Sequence, residues 1–190
     1  MIEKINNIIQ RSIDTKIAIL QNEQLSKEIE TIVNICITAF QAGNKVLFCG
    51  NGGSAADAQH LAAEFSGRFY TDRNPLPSEA LHCNTSYMTA VANDYGYDYV
   101  YSRMVKGMGK AGDVLIGLST SGNSPNIVKA FEQANEMDII TIGFTGASGG
   151  ALASLSQHII KVPSTDTPRI QEAHIMIGHI ICELVEAQLF

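Results

Sequence analysis

Four nearly continuous apolar runs set the limits on this fold. They are Lys45–Cys49 (KVLFC), Asp113–Ser119 (DVLIGLS), Ile139–Phe144 (IITIGF) and His158–Val162 (HIIKV). Each has the length of a strand, and stretches of helical length lie between them. A strand that is apolar at successive positions, rather than at alternate ones, is buried on both faces. Helices are the usual cover for both faces, and their crossovers make the strands parallel. A weaker candidate at Glu79–Cys83 brings the strand count to five. The predicted fold is therefore α/β, a doubly wound five-stranded parallel sheet sandwiched by helices.

Helical periodicity fills the rest of the chain. Ile2, Ile5, Ile8, Ile9, Ile13, Ile17 and Leu20 recur at spacings of three and four, as do Leu25, Ile29, Ile32, Val33, Cys36 and Phe40. These mark amphipathic helices over residues 2–20 and 25–42, with Gly43-Asn44 as the stop signal. Further helices are expected over 55–65, 85–92, 99–108, 125–137 and 168–190, and a glycine-rich turn with a short helix over 146–156. There is no linker, repeat or low-complexity stretch. The expected organisation is one domain over 1–190, with a helical extension (1–43) before an α/β core (44–190). The two leading helices suit either core cover or an oligomer interface, and spacing fits both.

Charge narrows the partners. The 13 basic residues are outnumbered by 19 acidic ones, for a net charge of −6. A chain of that balance without a Lys/Arg cluster is a poor nucleic-acid binder. Any phosphate it takes would be held by backbone N–H groups and hydroxyls. Cys36, Cys49, Cys83 and Cys182 form no CxxC pair, and no stretch approaches the roughly 18 apolar residues of a membrane span. A cytoplasmic protein with free thiols, away from membranes, is expected.

Two turns at predicted strand ends look suited to an anion. Asn51-Gly52-Gly53-Ser54 follows the first strand. Ser119-Thr120-Ser121-Gly122-Asn123-Ser124 follows DVLIGL and precedes a helix with Pro125 in its first turn. Glycine lets the backbone approach a ligand, and helix starts present free N–H groups. Both are also compatible with plain serine-capped turns. Neither is a Walker A loop, nor is there a G-x-G-x-x-G after a strand, so a sugar phosphate is favoured over a nucleotide.

His60 and Glu64 stand four residues apart on one predicted helix face. That is a spacing for metal ligands, though more often that of a solvated pair. In the last helix, His174 and His179 are both candidate functional histidines on spacing alone.

Four blocks carry a resemblance. They are GNGGSAADAQHLAAEFSGRF (Gly50 to Phe69), AVANDYGYDYVYSR (Ala90 to Arg103), GDVLIGLSTSGNSPN (Gly112 to Asn126) and RIQEAHIMIGH (Arg169 to His179). In this order they resemble the sugar isomerase (SIS) domain family and, within it, the phosphoheptose isomerases. The STSGNS loop is common to many SIS domains; the first and last blocks are more specific. The resemblance implies that Ser119, Thr120, Ser121 and Ser124 hold the substrate phosphate, and that Asn51, Gly52, Gly53, Asn93 and Asp94 line the sugar site. It implies a metal site of His60, Glu64, Gln171 and His179, with Gln171 and Glu64 also touching substrate and Glu64 and His179 as the acid/base pair. Zinc is the first choice for this nitrogen/oxygen set, one ion per subunit; iron, nickel and manganese stay open. It also implies a homotetramer with sites at subunit interfaces, assembled through the N-terminal helices.

The implied reaction is conversion of sedoheptulose 7-phosphate to D-glycero-D-manno-heptose 7-phosphate through an enediolate, in heptose precursor biosynthesis, with lipopolysaccharide core as the first destination and a capsule or a surface-layer glycan left open. Two alternatives stay open: a non-catalytic SIS tetramer serving as adaptor of a replication initiator, and isomerisation of another sugar phosphate. The joint presence of all four ligand candidates favours an enzyme. One departure stands out. Some family members carry an acid just before the RIQE segment, where this chain has Thr167-Pro168 and the nearest acid is Asp166.

Overall fold

The computed structural model describes residues 1–190. The helices are α1 (Ile2–Leu20), α2 (Glu23–Gln41), α3 (Gly53–Ser66), α4 (Thr85–Tyr95), α5 (Val100–Met108), α6 (Pro125–Glu136), α7 (Leu152–Leu155) and α8 (Thr167–Leu189). The strands are β1 (Val46–Gly50), β2 (Ser78–Ala80), β3 (Val114–Leu118), β4 (Ile140–Thr145) and β5 (His158–Lys161). All pair in parallel, in the order β2-β1-β3-β4-β5.

Alternation along the strands feeds two cores. Phe48, Ile116 and Phe144 pack on one face with α2, α3 and α8. Leu47, Cys49 and Leu115 pack on the other with α5 and α6. Among the fully buried side chains are Phe48, Phe65, Phe131 and Phe144, each stabilising the fold by about 1.5–3 kcal/mol.

Three boundaries differ from expectation. The second strand is the edge strand Ser78–Ala80, and Cys83 N–H turns back to Ala80 O at 3.2 Å. The helix expected over 85–92 runs on to Tyr95, where Gly96 at φ +92° ends it. Tyr97–Tyr99 is a separate 3-10 turn ahead of α5.

The leading helices part company. α2 buries Leu25, Ile29, Ile32, Val33, Cys36 and Phe40. α1 buries only Thr15 and Ile19, and its other isoleucines and Leu20 are 42% to 80% exposed. Polar contacts fasten α1 to α8: Arg169 Nη1 donates to Ile8 O (2.8 Å), and Ser12 Oγ to Glu172 Oε2 (2.6 Å).

The strand order reverses direction between β1 and β3. Gly50 stands opposite Leu118, so both strands end level and their loops leave side by side. A crevice opens at such a point in a doubly wound sheet.

Candidate functional site

Both predicted loops lie at that crevice. β1 hands over to α3 through Gly52, whose φ of 56° and ψ of −122° suit only glycine. The N–H groups of Gly52, Gly53, Thr120, Ser121 and Ser124 find no partner in the chain. They are open donors beside two helix starts, the arrangement that accommodates an anion. Ser119 is buried, and its Oγ lies 2.9 Å from Ser124 Oγ. Asn51 and Asn126 exchange two amide hydrogen bonds, each 2.9 Å, and so tie the loops together.

A cavity of about 190 Å³ opens beside Thr120 and Ser121 of the serine loop. Besides Thr120 and Ser121 it offers the hydroxyls of Ser148, Ser164, Thr165 and Thr167, which sequence reasoning missed. Those residues also follow strands, and that is the signal that could have found them. Asp166 is engaged elsewhere, accepting from Arg11 Nη1 at 3.4 Å.

α3, which starts at the first loop, lies close against α8. A Cβ on Gly178 would stand 2.5 Å from Leu61 Cδ1, so any larger residue would have to displace the Leu61 side chain. The closeness brings His179 to α3. Its Nε2 is 2.9 Å from His60 Nε2, and His60 Nε2 is 3.1 Å from Glu64 Oε1. One donor atom from each of the three lies within 4.8 Å of the others. Two imidazole nitrogens at that distance share one proton or, with both lone pairs turned inward, one cation. Two nitrogens and a carboxylate suit a borderline divalent ion.

Gln171 sits at the other end of the same face. Its amide rests over Gly53, where an added Cβ would come within 2.9 Å of Nε2. Its observed contact is thus with the loop end of α3. Asn93 and Asp94 are exposed near the end of α4, bonded to each other at 2.9 Å.

Asp57, one turn before His60, escaped notice although it shares that helical face. Burial pushes its carboxyl up, and His60 and His179 pull it partly back. Arg73 was also missed. Its guanidinium is almost fully buried and donates to the backbone carbonyls of Glu64 (2.9 Å) and Phe65 (2.8 Å), holding the end of α3. Its Nε pairs with Glu186 of α8 at 2.9 Å. His174 faces the core instead, where its ring contacts Thr145 O at 3.2 Å.

The SIS domain profile matches residues 11–146. A phosphoheptose isomerase of Aneurinibacillus thermoaerophilus is 55% identical over 190 residues, covering 100% of this chain and 96% of that one. Among solved structures, phosphoheptose isomerase GmhA from Neisseria gonorrhoeae superposes with a TM-score of 0.91 at 39% identity, covering 97% of this chain and 98% of that one. A phosphoheptose isomerase from Francisella tularensis gives 0.93 at 35% identity, covering 97% of both chains.

Proposed function

This chain belongs to the SIS domain family, and from that membership we propose that it is a phosphoheptose isomerase, converting sedoheptulose 7-phosphate to D-glycero-D-manno-heptose 7-phosphate. The observation that carries this reading is the cluster of His60, Glu64 and His179 between α3 and α8, with α3 itself starting from one of two loops of open N–H donors.

The phosphate sits against Ser119, Thr120, Ser121 and Ser124, held by hydroxyls and N–H groups, which matches a chain without a basic patch. Asn51, Gly52, Gly53, Asn93, Asp94 and Gln171 contact the sugar. Anchoring the remote phosphate orients the reacting carbons. Glu64 uses Oε1 toward His60, leaving Oε2 to take the proton from C1 of the ketose. His179 moves a proton between O1 and O2 of the resulting enediolate. Glu64 then returns its proton to C2, so neither residue is changed at the end. A divalent ion, zinc in this reading and one per subunit, would be held by His60, Glu64, Gln171 and His179 and would polarise the carbonyl as a Lewis acid.

The enzyme acts in the cytoplasm as a homotetramer with sites at subunit interfaces, as one SIS domain whose residues 1–43 serve assembly. The outward isoleucine stripe of α1 supports that role. Its product enters heptose precursor biosynthesis, leading to lipopolysaccharide core. The test is a coupled assay with sedoheptulose 7-phosphate on zinc-replete protein, beside His179→Ala. Turnover that disappears in the variant is expected. Absence of turnover in well-folded wild type overturns the reading.

A further inference from the structure

The Asn51 amide has a hydrogen-bond inventory that can be closed. Its Oδ1 accepts from Asn126 Nδ2 at 2.9 Å and from Tyr97 Oη at 3.2 Å. Both lone pairs of that oxygen are then used. Its Nδ2 gives one hydrogen to Asn126 Oδ1 at 2.9 Å. One N–H remains. Asn51 can therefore offer a ligand a single donor and no acceptor.

The two partners come from different elements. Asn126 is in the first turn of α6 and is only 2% exposed, so its amide has no freedom to turn away. Tyr97 belongs to the 3-10 turn before α5, and its ring is 53% exposed. Asn51 itself is half-buried at the crevice, between Gly50 and the open N–H of Gly52. Three segments thus meet on one amide, which in the chain directly precedes the open N–H groups of Gly52 and Gly53.

We propose that Tyr97 and Asn126 are positioning residues that lock the Asn51 amide, so that its remaining N–H donates to an oxygen of the bound sugar phosphate. This rests on the reading of the crevice as a sugar-phosphate site. Tyr97 acts through Asn51. Removing its hydroxyl frees one lone pair, and the amide then samples orientations that do not present the donor.

Tyr97→Phe tests this, because the residue is half exposed and the change deletes only the hydroxyl. That hydroxyl also neighbours the Tyr101 hydroxyl, so an Asn51→Ala background separates the two partners. The expected result is an unchanged melting temperature, kcat within about twofold, and KM for sedoheptulose 7-phosphate raised about two- to tenfold, the worth of one ordinary hydrogen bond. Calorimetric affinity for the same sugar phosphate, in a Glu64→Gln background to block turnover, is expected to weaken by the same factor. In an Asn51→Ala background the Tyr97→Phe change is expected to do nothing further, the signature of action through Asn51. An active wild type whose Tyr97→Phe variant keeps both KM and affinity overturns this inference and leaves the isomerase reading standing. The same holds for a Tyr97→Phe effect that persists in full without Asn51. A wild type that binds the sugar phosphate but shows no turnover, with binding weakened as predicted in Tyr97→Phe, supports the lock and sinks the isomerase reading. A wild type that neither binds nor turns over overturns both.

Discussion

His174 and His179 are five residues apart on α8 and do opposite things. His174 is fully buried, and burial pushes its ring down to about 4, against the pull of the Thr145 carbonyl. Unfolded, it would titrate near its ordinary 6.5. Between those values the unfolded chain binds a proton that the folded chain refuses, so stability falls as pH drops from about 6.5 to about 4. Glu186 adds a lower step. Burial would raise it, but N–H groups of Phe69, Thr71 and Tyr70 and the Arg73 side chain outweigh that and hold it at about 2 rather than 4.5. Its contribution is complete above about 4.5 and is lost as pH falls toward 2. Urea midpoints measured against pH are expected to fall in both windows, and His174→Leu is expected to flatten the upper one. With Glu64 as the proposed base, Glu64→Gln is expected to lower kcat by about 10²- to 10⁴-fold, the usual worth of a general base, with the melting temperature retained. On the proposal that His60, Glu64 and His179 hold zinc, chelation is expected to abolish turnover without unfolding the protein, and zinc to restore it.

The pair of helices α3 and α8 is the element that makes a site. Gly178 sets how closely they approach, and Arg73 with Glu186 fastens their C-terminal ends. A methyl at 178 meets Leu61, itself 1% exposed, with no open space to yield. Gly178→Ala is expected to cost about 1–3 kcal/mol and to weaken zinc binding measured by calorimetry, because His179 is the next residue. Arg73→Met leaves Glu186 charged, almost buried and unpaired, and is expected to cost about 3–5 kcal/mol. Adding Glu186→Leu is expected to recover only part of that, since the N–H groups of 69–71 lose their acceptor. Denaturant melts of the three variants check this ordering.

At the scale of the whole molecule, the exposed stripe of α1 is the feature a single chain leaves unresolved. Seven large apolar side chains on one helix face water, and soluble proteins rarely expose so much contiguous apolar surface without a partner. A groove of about 700 Å³ beside it is lined by Ile19, Leu20, Ile29, Val33, Met176 and Ile180. In the homotetramer proposed above, other subunits cover these faces. Ile9→Glu with Ile13→Glu is expected to shift sedimentation to a smaller species and to reduce kcat, because the proposed tetramer has its sites at the interfaces. A monomeric wild type by the same measurement would remove that explanation.

The class of fold was legible because it depends on local pattern. Strands apolar at every position had to be buried twice over, and helices of 3.6-residue period had to lie between them. The two loops were legible for the same reason, since glycine and hydroxyls at strand ends are a local signal. Periodicity told α1 and α2 apart from nothing: both show the same stripe, and only packing put one in the core and left the other outside. The histidines could not be ranked from spacing, because burial of His174 depends on Thr145 across the sheet. The meeting of His60 with His179, 119 residues later, and of Asn51 with Asn126 and Tyr97, depends on strand order and on one close helix contact. Periodicity and composition describe each segment's preference for its own burial. Which segments become neighbours follows from the sheet topology, and that is settled only when all the apolar faces are covered at once.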